Sequence, residues 1–519
     1  MRLTKCGDIV PRRCIYLKHE IMKKYDVIII GGGIGGLASG IILSKEGLNV
    51  CVLEQHSVIG GCLQSFKRHG RILDTGMHYI GSMEEGQIMH QYFKYFGITD
   101  DLRLRRLSDD GFDYFHFLDG QTYQHASGLD NFIDTLASRF PEDRDGISAI
   151  AQKMQNIGDM IAPEVLRGGR LYSRGGKDYT SVSAYGEIEK SITNERLRNV
   201  LAGNTGLYAG NRLTTSMYEY GVITHSYIQG AYAFEDGSQQ LADLMARQIE
   251  RNGGEVRLNA RAEKIHLEGD KAEYVEMASG ERVYGNRIIS SIHPSTTFSM
   301  LENNTVYKKA FFTRMNSLAN TYGIFTTYLL MKPNTVKYEN NNHFYFNLDD
   351  VWGLEAQYKG VNIPGVLMCM QPNSRNEYTD VISLLVPMPF EQCARWADTT
   401  VGRRGEEYNE FKERFSSAVI DFVSHYNPSL KHYIETVHTA SPLTYRDYTS
   451  TPEGSAYGLV KDCRNPLASL VFARTKISNL LITGQSLNIH GCLGATISSA
   501  VTCTEILGEE YLAKKIGNA

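Results

Sequence analysis

Apolar runs separated by glycine-rich turns mark the first part of the chain. Residues 27–30 are apolar and β-branched, which predicts a buried strand, and a second apolar run at 50–53 predicts another. Between them, residues 37–45 have the length and apolar content of a helix, which Gly47 ends. Strand, helix and strand in this order predict a βαβ unit with parallel strands.

A similar alternation returns in the second half of the chain. Helices are predicted at 241–252 and 495–507, and strands at 255–258, 262–266, 274–277, 282–284, 287–292 and 480–483. The strands of one sheet would then come from segments that lie far apart in the chain. This pattern therefore predicts a discontinuous domain.

The intervening segments have another character. Residues 91–230 are rich in helical patterns, and residues 306–439 contain predicted strands at 322–331, 366–370 and 381–386 and a helix at 412–426. One apolar stripe at helical spacing comprises Ile147, Ile150, Met154, Ile157 and Ile161. Such a stripe is either a core face or a membrane-binding face, and the core is favoured.

These patterns predict an α/β fold with two parts. A discontinuous Rossmann-like domain is formed by residues 25–90, 231–305 and 440–515, and an inserted α+β substrate domain by residues 91–230 and 306–439. Residues 1–24 are polar and basic and lack the apolar stretch of a secretory signal, so we expect a disordered N-terminal arm.

Charge, apolar content and cysteine spacing narrow the function classes. With 54 basic and 58 acidic residues among 519, bulk charge gives no reason to expect nucleic-acid binding. No apolar run reaches the roughly 18 residues that a transmembrane helix needs. The nine cysteines form no C-x-x-C pair, which predicts neither a metal site nor a disulfide framework and favours a reducing, cytoplasmic compartment.

The turn after the first strand carries the strongest chemical signal. Gly31, Gly33 and Gly36 have the G-x-G-x-x-G spacing, and Glu54 ends the second strand about twenty residues further on. The first glycine permits a tight turn, the second lets a pyrophosphate approach the backbone, and the third lets the helix pack on the strand. The helix N-terminus faces the phosphates, and the carboxylate can bind a ribose. The motif therefore predicts a dinucleotide site.

Glycines recur in two further places. Gly60 and Gly61 follow the βαβ unit and suggest another close approach of a ligand to the backbone, although a plain turn explains them equally well. Gly484 and Gln485 follow the last predicted strand, and residues 491–494 open the last helix, whose N-terminus favours an anion.

Together these motifs resemble the FAD-dependent family of phytoene desaturases, carotenoid isomerases and retinol saturases. The resemblance covers residues 25–510 and is strongest at both ends. The segments 75–81 (TGMHYIG) and 483–485 (TGQ) are similar to those of the retinol saturase branch. Residues 234–238 (FEDGS) depart from the family pattern, in which a proline and two glycines are common. The resemblance implies a glutathione-reductase-type, amine-oxidase-like FAD domain.

The resemblance also implies a role for each matching position. Gly31, Gly33 and Gly36 would hold the FAD pyrophosphate, Glu54 the adenosine ribose, and the backbone of Val256 the adenine. The ribityl chain and isoalloxazine would be bordered by Gly60, Gly61, Met77, His78 and Tyr79. The flavin end would be closed by Gly484, Gln485, Gly494 and Ala495.

The family further implies hydride transfer between FAD and a carbon–carbon bond of a lipophilic polyene, retinoid or isoprenoid, which is saturated or desaturated. His78, Tyr79 and His490 are the candidate catalytic residues for proton transfer, and the alternative for each is a structural hydrogen bond.

Other functions stay open at this point. They are cis–trans isomerisation of a polyene without net redox change, a flavin amine oxidase, and a lipid-binding protein with a structural FAD. NAD(P)H is a candidate electron donor, although the sequence holds one dinucleotide fingerprint. Peripheral membrane contact is expected from a lipophilic substrate, and no obligate protein partner is evident.

Overall fold

The computed structural model describes residues 24–171, 178–348, 350–353 and 363–519. Its strands, numbered in chain order, are β1 Lys24–Ile30, β2 Val50–Leu53, β3 Ser65–Arg68, β4 Arg71–Asp74, β5 Tyr79–Gly81, β6 Leu104–Arg106, β7 Asp113–His116, β8 Thr122–His125, β9 Ala231–Phe234, β10 Glu255–Arg257, β11 Ala262–Glu268, β12 Lys271–Met277, β13 Arg282–Ser290, β14 Leu301–Glu302, β15 Gly323–Met331, β16 Asn342–Phe346, β17 Gly365–Met370, β18 Val381–Met388, β19 Ile434–Ala440 and β20 Leu480–Ile482.

The α-helices are numbered in the same way. They are α1 Ile34–Lys45, α2 Ile88–Phe96, α3 Leu129–Arg139, α4 Arg144–Gly158, α5 Pro163–Arg167, α6 Ala184–Ser191, α7 Glu195–Leu201, α8 Met217–Ile228, α9 Gln239–Arg251, α10 Pro294–Ser299, α11 Lys309–Asn316, α12 Glu406–Tyr426, α13 Leu430–Tyr433, α14 Pro442–Thr449, α15 Gly491–Leu507 and α16 Glu509–Gly517.

The first sheet is assembled from three distant parts of the chain. Its strand order is β10-β2-β1-β13-β12-β11-β14, with β20 also paired to β13. The strands β10, β2, β1, β13 and β20 run parallel, whereas β12 is antiparallel to both β11 and β13. A parallel sheet is covered on both faces, so the side chains on both sides of its strands are buried. The sequence of β1 is accordingly a continuous apolar run, as predicted.

Strand β13 is one element where the sequence predicted two. Its first residues pair antiparallel with β12, and its last pair parallel with β1 and β20. The presumed break falls at Gly285, where a Cβ atom would lie 2.8 Å from the Ile28 side chain. The glycine therefore allows a close approach of two strands and does not mark a turn.

The second sheet has the order β19-β15-β18-β17-β16-β7-β8. Most pairs are antiparallel, but β16 and β7 are parallel. Strands β7 and β8 come from the segment that the sequence predicted as helical, and they extend the sheet built by residues 323–440. One face of this sheet packs on α12 through Phe325, Phe415 and Val419.

The apolar stripe of α4 lies in the core. Ile147, Ile150, Met154 and Ile157 are all fully buried, and α4 packs against α8. The core interpretation is therefore confirmed, and a membrane-binding role of this face is wrong.

The predicted α/β architecture, with an interrupted parallel sheet and a second sheet, is confirmed. The exact domain boundaries stay a prediction. The proposed N-terminal arm lies outside the described residues except for Lys24, which begins β1. Among the described residues, no helix combines the length and the apolar character needed to cross a bilayer.

Candidate active site

A single cavity of about 560 Å³ connects the glycine-rich turn with the second sheet. At one end it is lined by Arg261, Glu263 and Ser299, next to β11 and α10. It passes the turn between β1 and α1 and ends against apolar side chains of β16, β17 and β18. Residues of both sheets thus line one continuous space.

The three fingerprint glycines have different surroundings. Gly31 has a φ of +99°, and a Cβ there would lie 2.8 Å from Ile292, so only glycine fits the turn. A Cβ at Gly33 would meet no atom within 4 Å, because this position faces the open cavity at the start of α1. At Gly36 a Cβ would lie 2.0 Å from the Gly31 carbonyl oxygen. Gly36 lies behind the cavity wall and permits packing of α1 on β1.

Glu54 is buried at the end of β2 and lines the cavity. Its Oε2 accepts a hydrogen bond of 2.9 Å from the backbone N–H of Gly32, and its Oε1 accepts one of 2.9 Å from His56. These bonds fix the carboxylate beside the glycine turn. Since each carboxylate oxygen has two lone pairs, acceptor capacity remains for a ligand hydroxyl.

Gly60 and Gly61 lie against the same turn. The Gly60 N–H donates to the Gly32 carbonyl over 2.9 Å, and a Cβ on Gly61 would lie 3.3 Å from the Gly33 Cα. Both have positive φ values, +125° and +56°, and both line the cavity. The close approach of two backbones makes a narrow groove without side chains.

Met77, His78 and Tyr79 line the next part of the cavity. Burial lowers the pKa of His78, although the nearby Asp74 carboxylate opposes the shift, so the ring is neutral near pH 7. Its Nε2 is buried and has no protein partner. This orphaned nitrogen is available to a bound ligand.

Tyr79 makes a contact that the sequence did not suggest. Its hydroxyl lies 3.0 Å from Oδ2 of Asp113, the first residue of β7, and Asp113 is fully buried. Asp113 was missed because β7 was not predicted, and an isolated aspartate in a helix-like segment carries no signal of its own.

The C-terminal loop closes the cavity from another side. Gly484, Gln485 and Ala495 line it, and Gly484 lies against α1, since a Cβ on Gly35 would be 3.1 Å from the Gly484 Cα. Gly494 does not line the cavity. A Cβ at Gly494 would lie 2.0 Å from the Ile489 carbonyl oxygen, so this glycine serves the packing of the first turn of α15.

His490 is buried at the N-terminus of α15, and its ring is fully engaged. Its Nε2 lies 2.9 Å from the Leu459 carbonyl, and its Nδ1 lies 3.0 Å from the Tyr208 carbonyl and 2.8 Å from Glu219 Oε1. All of these oxygens are acceptors, and each ring nitrogen lies within hydrogen-bond distance of a backbone carbonyl. His490 lines the cavity, but the carbonyls beside both nitrogens favour the structural alternative, and its role stays a prediction.

Val256 is not brought to the cavity. It lies in β10, paired with Val52 of β2, and is absent from the cavity wall. Arg261, Ala262 and Glu263 line that end of the cavity instead. The sequence identified the correct strand region, but the chain reaches the cavity only after the turn that follows β10.

The wall formed by the second sheet is apolar. Its lining residues are Phe344, Phe346, Val366, Leu367 and Leu385. Opposite them lie tyrosine rings, including Tyr79 and Tyr227, whose centroids are 4.8 Å apart. We call this part of the cavity the apolar chamber. Among the described residues, no cluster of three or more histidine, cysteine or acidic side chains could hold a metal ion.

Comparison with known proteins identifies the family. The model of the family "Flavin containing amine oxidoreductase" matches residues 34–311, which is more than half of the chain. The chain belongs to this family. It is a flavoenzyme, an FAD-dependent oxidoreductase, and the expected cofactor and fold are thereby confirmed.

Full-length relatives point to a narrower group. All-trans-retinol 13,14-reductase of Rattus norvegicus is 27% identical, with 94% of this chain and 86% of the relative covered. The protein of that name from Danio rerio is 26% identical, with 95% and 87% covered. Prolycopene isomerase 1, chloroplastic, of an Oncidium hybrid cultivar is 23% identical, with 96% and 86% covered. The resemblance inferred from the motifs is therefore confirmed.

Solved structures share the fold. Putrescine oxidase bound to putrescine superposes with a TM-score of 0.62 at 14% identity, covering 94% of this chain and 99% of that chain. An oxidoreductase from Methanosarcina mazei gives 0.61 at 15% identity, covering 91% and 98%.

The residues present fit FAD. The open face of Gly33, the groove at Gly60 and Gly61, and the fixed Glu54 carboxylate match a pyrophosphate and a ribose in the expected order. The unpartnered Nε2 of His78 and the α15 N-terminus, which has no side-chain cap, lie on the cavity further along. The individual residue roles stay a prediction.

Proposed function

We propose that this enzyme saturates a carbon–carbon double bond of a lipophilic polyene of retinoid or carotenoid type. The observation that carries the proposal is the continuity of the cavity, which joins the nucleotide groove directly to the apolar chamber. A ligand in that chamber meets the flavin end of the cofactor without passing through solvent. The names of the full-length relatives support this substrate class.

Within this proposal, FAD supplies the hydride and the chain supplies binding, orientation and exclusion of water. The apolar side chains of β16 to β18 would hold the polyene, since burial of its surface is favourable. The groove at Gly33 and Gly61 would hold the cofactor in one position. The distance between the flavin and the reacting carbon would then stay constant. His78 and Tyr79 are the polar groups of the central wall from which a proton could come.

The test is an anaerobic reoxidation experiment. The purified protein with bound FAD is reduced and mixed with retinoids, carotenoids and unsaturated steroids, and absorbance near 450 nm is followed. We expect one polyene class to reoxidise the flavin and to gain two hydrogens in mass. A reduced flavin that no polyene reoxidises would contradict the proposal.

Isomerisation is the second candidate, because prolycopene isomerases match nearly the whole chain. The same experiment separates the two reactions. An isomerase changes the retention time of the polyene without changing its mass, and its flavin stays reduced. Amine oxidation has less support, because the amine oxidases are similar in fold at only 14% identity and the chamber wall is apolar.

The electron donor is a separate question. We infer that reducing equivalents come from an external carrier, for which NAD(P)H is a candidate although the sequence holds one dinucleotide fingerprint. Stopped-flow mixing of the oxidised enzyme with NADPH and with NADH tests this point directly. Bleaching by neither nucleotide, with normal reduction by dithionite, would exclude both as donors.

We also propose peripheral contact with a lipid surface through the loop before β20. Leu467 and Phe472 are 74% and 66% exposed there, and the same loop carries Arg464 and Arg474, which form ion pairs with Asp462 and Glu505. Exposed apolar side chains near basic ones suit an anionic bilayer surface. Flotation with vesicles containing phosphatidylserine should recover the wild type and lose the variant L467S/F472S. Equal recovery of both would contradict this contact.

A further inference from the structure

Asp113 is a buried carboxyl group beside the apolar chamber. Its Oδ2 lies 3.0 Å from the hydroxyl of Tyr79, and its Oδ1 accepts a 3.0 Å hydrogen bond from Nδ2 of Asn342 on the neighbouring strand β16. Tyr79 itself lines the cavity, whereas Asp113 and Asn342 lie behind it. Asp113 therefore reaches the chamber only through Tyr79.

The surroundings of Asp113 are uncharged. The groups that face it are Tyr79 on β5, Asn342 on β16, Tyr227 on α8 and Cys369 on β17. None of the ion pairs recorded for the described residues includes Asp113, and the backbone hydrogen bonds of β7 are used within the sheet. Burial consequently raises the pKa of Asp113 to about 7, against the opposing hydrogen bonds from Asn342 and Tyr79.

A structural carboxylate in this chain looks different. Asp143 accepts hydrogen bonds from the backbone N–H groups of Thr193 and Asn194 and from the Thr193 hydroxyl, and these bonds lower its pKa. Such a group stays ionised in the folded protein. Asp113 has two uncharged hydrogen-bond donors and no neighbouring cation. Near pH 7 its site therefore stabilises the protonated and the ionised carboxyl group almost equally.

The direction of the Tyr79–Asp113 hydrogen bond depends on this proton. When Asp113 is ionised, Tyr79 donates to it, and the phenolic hydrogen points away from the chamber. When Asp113 is protonated, its own O–H can donate to the Tyr79 oxygen, and the Tyr79 O–H is then free to point into the cavity.

We propose that Tyr79 and Asp113 form a proton relay, in which Tyr79 protonates the substrate carbon and Asp113 reprotonates Tyr79. The inference rests on the function proposed above and names its proton source. Tyr79 would be the catalytic residue, and Asp113 acts through it as a positioning residue and proton reserve.

The step balances. A hydride would come to one carbon of the double bond from reduced FAD, whose two electrons would form the first new C–H bond. The π electron pair forms a new C–H bond at the other carbon with the proton of the Tyr79 hydroxyl, whose O–H electrons stay on oxygen. The Tyr79 oxygen then takes the proton of Asp113, which leaves a carboxylate held by Tyr79 and Asn342. Solvent returns one proton to Asp113 before the next cycle.

The first test is spectroscopic and needs no substrate. In the FAD-loaded enzyme, the infrared band of a protonated carboxyl should disappear with a midpoint near the pKa of about 7. Asp113→Asn should remove this band. Tyr79→Phe should move its midpoint to higher pH, because it deletes a hydrogen bond that favours the carboxylate. A wild-type enzyme without such a band between about pH 5 and 9 would overturn the relay.

The second test follows reoxidation of reduced flavin by the active polyene. Tyr79→Phe and Asp113→Asn should each slow it by about 10²-fold, with little change in KM, and the wild-type rate should fall as pH rises through about 7. In D₂O the wild-type product should carry one solvent deuterium. The matched control is Tyr114→Phe, which makes the same tyrosine-to-phenylalanine change on β7, at the position next to Asp113 that faces the other side of the sheet.

The outcomes separate the two proposals. If both variants reoxidise within about twofold of wild type, the relay is wrong although the function stands. If no polyene reoxidises the wild-type flavin, the proposed function fails and the protonation of a polyene by Tyr79 fails with it. The infrared titration then decides only whether Asp113 and Tyr79 share a titrating proton. If Asp113→Asn does not fold, Tyr79→Phe still tests both the band position and the rate.

Discussion

At the scale of single residues, the site depends on where a side chain is absent as much as on where one is present. Gly33 leaves the cavity open at the start of α1, while Glu54 is fixed by two backbone N–H groups on the opposite side of the turn. The chemistry of the site lies in a few buried polar atoms, chiefly the free Nε2 of His78 and the Tyr79–Asp113 contact.

The variant Gly33→Val should fold and lose FAD. A Cβ at Gly33 meets no protein atom within 4 Å and the backbone there is extended, so the free energy of unfolding of the apoprotein should change by no more than about 1 kcal/mol. The same side chain would occupy the space of the pyrophosphate. The ratio of flavin absorbance to protein absorbance measures the loss, and Ala310→Val on the exposed face of α11 is the control. A normal flavin content in Gly33→Val would place the phosphates elsewhere.

Asp113 should make stability depend on pH. Its pKa is about 7 in the folded chain and about 3.9 in the unfolded chain, so between these values only the unfolded state releases the proton. The free energy of unfolding should therefore fall by a few kcal/mol as pH rises from about 4 to 7, and this term should be constant above that range. Urea unfolding of wild type and Asp113→Asn at about pH 5 and pH 8 measures it. Parallel pH profiles would show that Asp113 does not titrate in this range.

At the scale of elements, α1 is held against its neighbours by glycines at positions where the backbone approaches closely. Gly36 faces the Gly31 carbonyl of the turn after β1, and Gly40 faces the end of the Ile249 side chain on α9. The first contact is with a fixed backbone atom, whereas the second is with a flexible methyl group. The two positions therefore differ in how much a new Cβ can be accommodated.

Alanine at these two positions should be tolerated unequally. Gly36→Ala places a Cβ 2.0 Å from a carbonyl oxygen and should lower the free energy of unfolding by about 3 kcal/mol or more. Gly40→Ala places it 2.6 Å from Cδ1 of Ile249, which can change rotamer, and should cost about 1 kcal/mol. Thermal unfolding of both apoproteins compares them. Equal losses would mean that α1 moves as a body to relieve either contact.

At the scale of the whole molecule, Asp74 joins the two halves. Its carboxylate accepts hydrogen bonds from Ser65 and Ser238 at the cofactor side and from Gln371 after β17 of the second sheet. Its carbonyl also accepts from the Tyr328 hydroxyl on β15. Asp74, adjacent to the segment that carries His78 and Tyr79, therefore contributes to the relative position of the two cavity walls, together with the Tyr79–Asp113 contact.

Asp74→Asn should destabilise the protein although the two side chains have nearly the same size. An amide presents an N–H₂ group where a carboxylate accepted hydrogen bonds, so at least one buried donor loses its partner, at about 1–3 kcal/mol. Urea unfolding and FAD affinity measure the effect. The exposed residue Asp130 provides the control Asp130→Asn, and a loss of equal size there would argue against the role of Asp74.

The sequence predicted most of what is encoded locally and missed what depends on distant pairing. The turn from Gly31 to Glu54 is one short βαβ unit, so its glycine spacing is enough to predict it. Strand β7, and with it Asp113, was missed although β7 forms a local hairpin with β8 around Asp119 and Gly120. Only its pairing with β16, more than two hundred residues later, leaves no local pattern, and this pairing brings Asn342 to Asp113. Val256 was assigned to the adenine because its strand was found, but the strand alone does not tell where the chain turns into the cavity.

The parts of the first sheet that border the cavity lie far apart along the chain, and this separation has a consequence for biosynthesis. Helix α1 packs against α15, the Thr502 hydroxyl of α15 bonds to the Ile482 carbonyl of β20, and β20 lies beside β13. A ribosome delivers the glycine turn first and the loop that closes the cavity among the last residues of the described chain. The glycine turn is thus made long before the loop that closes the cavity, and we expect stable capture of FAD only after β20 and α15 have left the exit tunnel.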